Sequence, residues 1–222
     1  MYDFDHDLFL ALNFDGGETM DHLMHVVSGT PMWIPLYLLI LYLVWRQDGW
    51  KGLALFFVLM VGAIVLADMV SGIFKHNGLL GSLLPDFEPR WRPMFTPSLE
   101  DLLIAPDSLY ALRRMTMEEL HEVGIDRVWT VHVPLSAVSG KYGTVSAHAA
   151  TVVTLAALAC GAIRRRWFLY VMIVSTILIC YSRIYLAKHF PMDLAWGTLV
   201  GLCLGGVAWW IYKKTIRQQR TK

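Results

Sequence analysis

Five separate stretches of the chain, at about 24–46, 52–74, 145–163, 167–187 and 190–212, are apolar over the roughly 20 residues that a helix needs to cross a hydrocarbon core about 30 Å thick. A chain built this way has few folds open to it. Within lipid every backbone N–H and C=O must find its partner inside the segment, and the alternating pattern of an outer-membrane barrel is absent, so the runs are read as helices. Composition agrees: 56% of the 222 residues are hydrophobic and 17% charged, against about 45–50% and about 25% in soluble domains. That argues against a soluble globule or a disordered chain, and a net charge of +1 argues against a nucleic-acid partner. The expected fold is all-α, a polytopic membrane bundle of about five spanning helices with short N-terminal and periplasmic helices, in a single domain over residues 1–222.

Basic residues set the expected orientation. Arg46 and Lys51 flank the first tight turn, Arg164-Arg165-Arg166 the second, and Lys213, Lys214, Arg217, Arg220 and Lys222 close the chain; all three places are read as cytoplasmic. The opposite side receives the acidic N-terminus (Asp3, Asp5, Asp7, Asp15, Glu18), the connection at about 76–144 and the turn around His189. This describes a bacterial inner-membrane protein with its N-terminus outside, its C-terminus cytoplasmic and its long connection in the periplasm. Trp33, Trp45, Trp50, Trp209 and Trp210 fall near the ends of runs, as interfacial aromatics do. The first residues lack the basic region and cleavage site of a secretory signal. In the connection, Thr116-Met117-Glu118-Glu119 fits a capping box opening a helix that ends near Gly124, Ser98-Leu99-Glu100-Asp101 is a second candidate start, and Pro85, Pro89, Pro93, Pro97 and Pro106 punctuate the first half. Arg113-Arg114 reads as a solvated or surface-paired dipeptide. Cys160, Cys180 and Cys203 lie in apolar runs at no metal or redox spacing and read as packed free thiols.

A charge at mid-bilayer costs on the order of 3 kcal/mol or more, which makes ionisable residues in or beside the spans functional candidates. Asp68, Lys75, His148, Arg183, His189 and Asp193 stand out. All but Asp68 fall at the outer ends of four different runs. Asp68 sits about two turns deeper on one helical face with Ser71 and Lys75, where it either pairs with a basic residue, holds a helix contact or takes a direct part. Lys75, Arg92 and Arg183 supply positive donors for phosphate oxygens, the guanidinium forks in bidentate fashion. Ser146 and His148 open the run that starts near 145, where unpaired N–H groups and the helix dipole favour an anion. The spacing of four between His189 and Asp193 places both on one helical face, with the carboxylate orienting the imidazole. Two histidines and three cations at one interface point to phosphoryl transfer, one imidazole attacking phosphorus and the other protonating the leaving oxygen. The residues alone do not say which imidazole attacks, although the pairing with Asp193 favours His189. His6, His22, His25, His76, His121 and His132 close no coordination set, so no metal or other cofactor is expected.

The run from Ser182 to Asp193, with the pattern S-R-x5-H-x3-D, resembles the third signature of the type 2 phosphatidic acid phosphatase superfamily, whose members also include vanadium haloperoxidases. Val145-Ser146-Ala147-His148 is similar to the second signature, usually P-S-G-H, with the serine and histidine kept. Lys75 and Arg92-Pro93 resemble the first, K-x6-R-P, although residues 76–91 separate them here. An insertion at Gly78–Pro89 that loops out would return the arginine to the site, and Pro93 favours Arg92 over its competitor Arg90, so that Arg92→Ala is expected to lose activity and Arg90→Ala largely to keep it. The resemblance covers about 52–210.

It implies metal-free hydrolysis through a phosphohistidine: His189 as nucleophile, Asp193 as its orienter, His148 as general acid, and Lys75, Arg92, Ser146 and Arg183 as the phosphate clamp. The implied substrate is a lipid phosphomonoester or diphosphate in the outer leaflet, with lipid A phosphate, undecaprenyl diphosphate, phosphatidylglycerol phosphate and phosphatidic acid as candidates. The context K-Y-G-x-V-S-x-H at Lys141–His148 is similar to Bacteroidetes-type members, some of which are lipid A phosphatases. A lipid-linked phosphotransferase and a non-catalytic relative that binds lipid headgroups are the alternatives; the soluble haloperoxidases are disfavoured by the membrane composition.

Overall fold

The computed structural model describes residues 2–75, 84, 88–125 and 128–220. Most of the expected loop-out at Gly78–Pro89 lies outside the described residues, as do His76, Pro85 and Lys222. Among the described residues eight α-helices follow in order: α1 (Tyr2–Leu12), α2 (Gly17–Ser28), α3 (Ile34–Ile73), α4 (Pro106–Leu112), α5 (Met117–Glu122), α6 (Ala147–Ile163), α7 (Arg166–Tyr185) and α8 (Pro191–Arg220).

A straight helix of the length of α3 would run about 60 Å, twice the bilayer core. Helical geometry instead breaks at Gly49 (φ 66°, ψ −167°), a backbone conformation open essentially to glycine alone. The halves fold back on each other: Ile40 and Val44 before the break are buried in one cluster with Phe56 and Ala63 after it, together with Leu155, Leu158, Met172 and Tyr212. Trp45 and Trp50 meet across the turn with ring centroids 5.6 Å apart. The stretches Thr30–Ile73, Arg166–Tyr185 and Pro191–Gln218 are long and apolar enough to cross a membrane, and Ala147–Ile163 is a shorter apolar helix. With α3 doubled back, the bundle makes five passes. The first begins at 34 rather than 24, because Gly29 is extended (ψ 143°) and Thr30–Trp33 form a 3-10 turn with Pro31 in its first turn, leaving residues 24–28 to α2.

Helix α6 lies at the centre, with Ala149, Ala150, Val153, Thr154, Leu158 and Ala159 among its buried residues. Helix α8 approaches it along a stripe of glycines: a Cβ at Gly197, Gly201 or Gly205 would stand 2.5, 2.6 or 2.5 Å from the carbonyl oxygens of Ser146, Ala150 and Thr154. In lipid, apolar burial gives helices no reason to prefer each other over acyl chains, so such close backbone packing is what holds them together. At one end of the bundle Gln47 donates to the Ala162 carbonyl (2.8 Å) and the Tyr212 hydroxyl to Asp48 (2.7 Å). These bonds gather the Gly49 turn, the Arg164–Arg166 turn and the basic part of α8.

At the other end the connection is stapled by Glu100, which is fully buried. Its carboxylate accepts from the N–H groups of Thr130 (2.8 Å) and Val131 (3.1 Å) and pairs with Arg113. Arg113 is therefore a buried partner rather than a surface residue, whereas Arg114 is exposed beside Tyr110. The Thr116–Glu119 capping box forms and opens α5, and Gly124 follows with φ 74°. No helix starts at Ser98: Pro97–Glu100 is a 3-10 turn ended by left-handed Asp101, and regular helix begins at Pro106. The two ends of the connection meet at an antiparallel bridge between Trp91 and Tyr142, where the Arg92 N–H donates to the Lys141 carbonyl (3.0 Å) and the Gly143 N–H to the Arg90 carbonyl (2.8 Å).

Candidate active site

The turn between α7 and α8 is shaped by the end of α7. Ala187 is left-handed (φ 51°). The Lys188 N–H reaches back to the Arg183 carbonyl (2.9 Å) and the Ala187 N–H to the Ile184 carbonyl (2.9 Å), the paired bonds of a Schellman turn. Glycine usually takes that position; alanine there costs roughly 1–2 kcal/mol. The turn folds His189 back over the end of α7, and Asp193 accepts from the Phe190 N–H at 3.0 Å to cap α8. His189 thus precedes the helix and does not share a helical face with Asp193, contrary to the expectation from spacing.

His189 Nδ1 lies 3.0 Å from the Gly143 carbonyl and 3.8 Å from Asp193 Oδ2. A carbonyl can only accept, so Nδ1 carries the proton and Nε2 keeps its lone pair. The orienting hydrogen bond expected from Asp193 comes from Gly143 instead, and the carboxylate stands back at a distance that suits a positive charge on the ring. Burial, with Arg183, Lys75 and Arg92 nearby, holds the His189 pKa well below the usual 6.5. The imidazole is neutral, the state in which Nε2 is a nucleophile.

A cavity of about 690 Å³ opens beside it, lined by Lys75, Arg92, His148, Arg183 and His189 from the ends of elements, and by Trp33, Tyr37, Ile64, Val65, Val152, Leu155 and Ile179 further along the helices. Arg183 donates through Nη1 to the Ser28 hydroxyl, and its buried Nε–H has no partner among the described residues. The Arg92 guanidinium is held by the Tyr142 carbonyl (3.2 Å from Nε) and the Ser139 carbonyl. Burial lowers the pKa of Arg92, while burial and the neighbouring arginines lower those of Lys75 and Lys188 to about 8. Cations that are desolvated and repel one another are arranged for an anion among them. Asp68 also lines the cavity, and its charge acts on Lys75.

Two expectations change at this point. Ser146 is fully buried and its hydroxyl accepts the Ala149 N–H (3.4 Å) as the N-cap of α6, so it supports the helix end that presents His148 instead of lining the cavity. Arg90 is no bystander: its Nη1 lies 2.6 Å from Asp5 and 3.7 Å from Asp193, and its guanidinium covers the Phe190 ring at 3.7 Å. Of the two competing arginines, Arg92 is the one in the cavity wall.

Residues 58–217 match the PAP2 superfamily. The chain belongs to that superfamily. It is also similar to two curated relatives, each named lipid A 4'-phosphatase. The one from Porphyromonas gingivalis is 25% identical over 206 residues, which cover 93% of this chain and 72% of the relative. The one from Bacteroides thetaiotaomicron is 26% identical over 218 residues, covering 98% and 81%. Family and relatives together support a membrane lipid phosphatase.

The PAP2 match leaves α1 and α2 outside, yet both reach the site, through Asp5 and Ser28. Neither carries a sequence signal: Asp5 is one of several N-terminal acids. Lys188 was visible only as filler between the matched positions of its run, and Gly143 stood in the K-Y-G-x-V-S-x-H context without a role.

Proposed function

We propose that this protein is a lipid A phosphatase of the bacterial inner membrane, hydrolysing a phosphomonoester at the periplasmic face through a phosphohistidine. The single observation that carries the mechanism is the Nδ1 bond of His189 to the Gly143 carbonyl, on a ring that lines a cavity shared with Lys75, Arg92 and Arg183. The three cations hold the phosphate and offset charge on its equatorial oxygens. Nε2 of His189 attacks phosphorus as the bond to the sugar oxygen breaks, and His148 gives that oxygen a proton. The ring becomes positively charged, and Asp193 at 3.8 Å stabilises it. His148 then takes a proton from water, which attacks phosphorus, breaks the N–P bond and releases inorganic phosphate. Every charge that the reaction needs to offset has a side chain beside it, so the reading requires no metal.

Substrate and sidedness rest on separate grounds. Both relatives carry the name lipid A 4'-phosphatase over most of this chain, and the cavity pairs a cationic end with an apolar wall, as a phosphorylated lipid requires. The basic turns lie at the opposite end of the bundle, which supports a cavity facing the periplasm. The test is phosphate release in detergent with EDTA, comparing wild type and His189→Ala on lipid A, undecaprenyl diphosphate, phosphatidylglycerol phosphate and phosphatidic acid. Release from lipid A that disappears in the variant is expected. Release that survives His189→Ala, or that needs added metal, overturns the mechanism. Loss of phosphate from lipid A without free phosphate appearing would assign a phosphotransferase instead.

A further inference from the structure

Helix α1 lies outside the superfamily match, yet it is fastened to both sides of the turn that carries His189. At its end, the buried Asn13 side chain donates to the carbonyls of Ile184 (3.3 Å) and Tyr185 (2.9 Å), the last residues of α7. Near its start, Asp5, only 4% exposed, accepts from the Met192 N–H (2.9 Å) in the first turn of α8. The second oxygen of Asp5 accepts from Arg90 (2.6 Å), and the same Arg90 nitrogen lies 3.7 Å from Asp193. Between these two anchors Phe190, the residue after His189, is boxed in. Arg90 covers its ring at 3.7 Å, His6 stacks on it (centroids 4.9 Å, planes 21° apart), and Phe9 meets it edge-on at 5.3 Å.

We propose that α1 is a splint across the 186–190 turn, and that Asp5 is a positioning residue acting on His189 through Arg90 and Asp193. Two carboxylates, Asp5 and Asp193, share the positive end of α8 and one guanidinium. Asp5 anchors Arg90 so that its guanidinium stands 3.7 Å from Asp193, near enough to favour the charge on that carboxylate without closing on it, and the charge serves the His189 ring when that ring becomes positive. Asp5 touches neither phosphate nor the attacking nitrogen. Its effect belongs in the rate of the chemical step and not in substrate binding.

The proposal rests on the phosphatase reading of His189, and one set of assays separates the two. Asp5→Asn keeps an acceptor for the Met192 N–H but removes the charge that holds Arg90. Steady-state hydrolysis of lipid A in detergent is expected to show kcat reduced at least tenfold with KM within twofold. In an Asp193→Asn background, Asp5→Asn is expected to have less than a twofold effect, because residues acting in one chain are non-additive. Arg90→Gln tests the same linkage from the other side and serves if Asp5→Asn does not fold: the same loss of kcat, and again none further in Asp193→Asn, is expected. Equal losses in both backgrounds, a change confined to KM, or kcat within twofold of wild type would overturn the splint. Activity that persists in His189→Ala overturns the phosphatase reading itself, whereas an active wild type, an inactive His189→Ala and an unaffected Asp5→Asn overturn only the role of α1.

Discussion

In the proposed mechanism His189 works deprotonated and the cations around it protonated, and these opposite demands set the pH dependence. Attack needs the neutral imidazole, which burial secures at every pH above its depressed pKa. Phosphate binding needs charged Lys75, and that charge is present below its pKa of about 8 and lost as pH rises through it. kcat/KM, which reports the free enzyme, is expected to fall above about pH 8. kcat should hold to higher pH, because a bound phosphate dianion favours the protonated lysine. Lys75→Arg keeps the cation and should move the alkaline limb upward; an unmoved limb would take Lys75 out of the clamp. Gly143 yields a second expectation. A Cβ there would stand 3.0 Å from Asp193 Oδ2 and 3.6 Å from the Arg92 Cα, so Gly143→Ala must shift the carbonyl that holds His189 or the groups beside it. A displacement of a few tenths of an ångström is expected to lower kcat on lipid A several-fold with KM little changed, short of the roughly 10²-fold that a shift of about 1 Å can cost. Residues contiguous with the signatures were legible in the sequence because a short turn needs fixed spacing. Gly143 as partner of His189 was not, because the contact spans 46 residues and uses a backbone oxygen that every residue has.

At the scale of elements, hydropathy located the membrane runs but not the way they pack. The apolar stretch beginning at 24 is continuous in hydropathy, yet Gly29 and Pro31 divide it between α2 and α3. The glycines of α8 at 197, 201 and 205 are a legible signal, since their spacing of four repeats one face of a helix. Gly201→Val is expected to be destabilising by about 1–3 kcal/mol through overpacking against α6, lowering the thermal midpoint in detergent by roughly 2–10 °C. Gly206 has nothing within 4 Å of its would-be Cβ, so Gly206→Val is the control that should leave the midpoint in place. If the two variants behave alike, the stripe does not hold α6 and α8 together. Helices α1 and α4 had no such signal. Helix α1 depends on contacts as distant as Asp5 with Met192, which no local period records.

The whole molecule has two unlike ends, and the substrate it can meet depends on which faces out. Residues 139–143 and the His189 turn close the cavity end, while the Gly49 and Arg164–Arg166 turns and the tail of α8 form the other. Five passes put α1 and the last turns of α8 on opposite sides of the bilayer, so two labelling positions decide the orientation. Cys160, Cys180 and Cys203 are free thiols and would first be replaced by alanine. Glu118→Cys places an exposed thiol on α5 without disturbing the Thr116–Glu119 capping box, and Gln218→Cys places one near the other end. In intact spheroplasts an impermeant thiol reagent is expected to label the first and to reach the second only after permeabilisation. The cavity then opens on the periplasmic side, and the lipid it dephosphorylates must be one already moved across the inner membrane. The reverse pattern would place the cationic cavity at the cytoplasmic leaflet. A lipid phosphate would then be removed before export, and the basic turns would face the periplasm against the charge asymmetry that governs insertion.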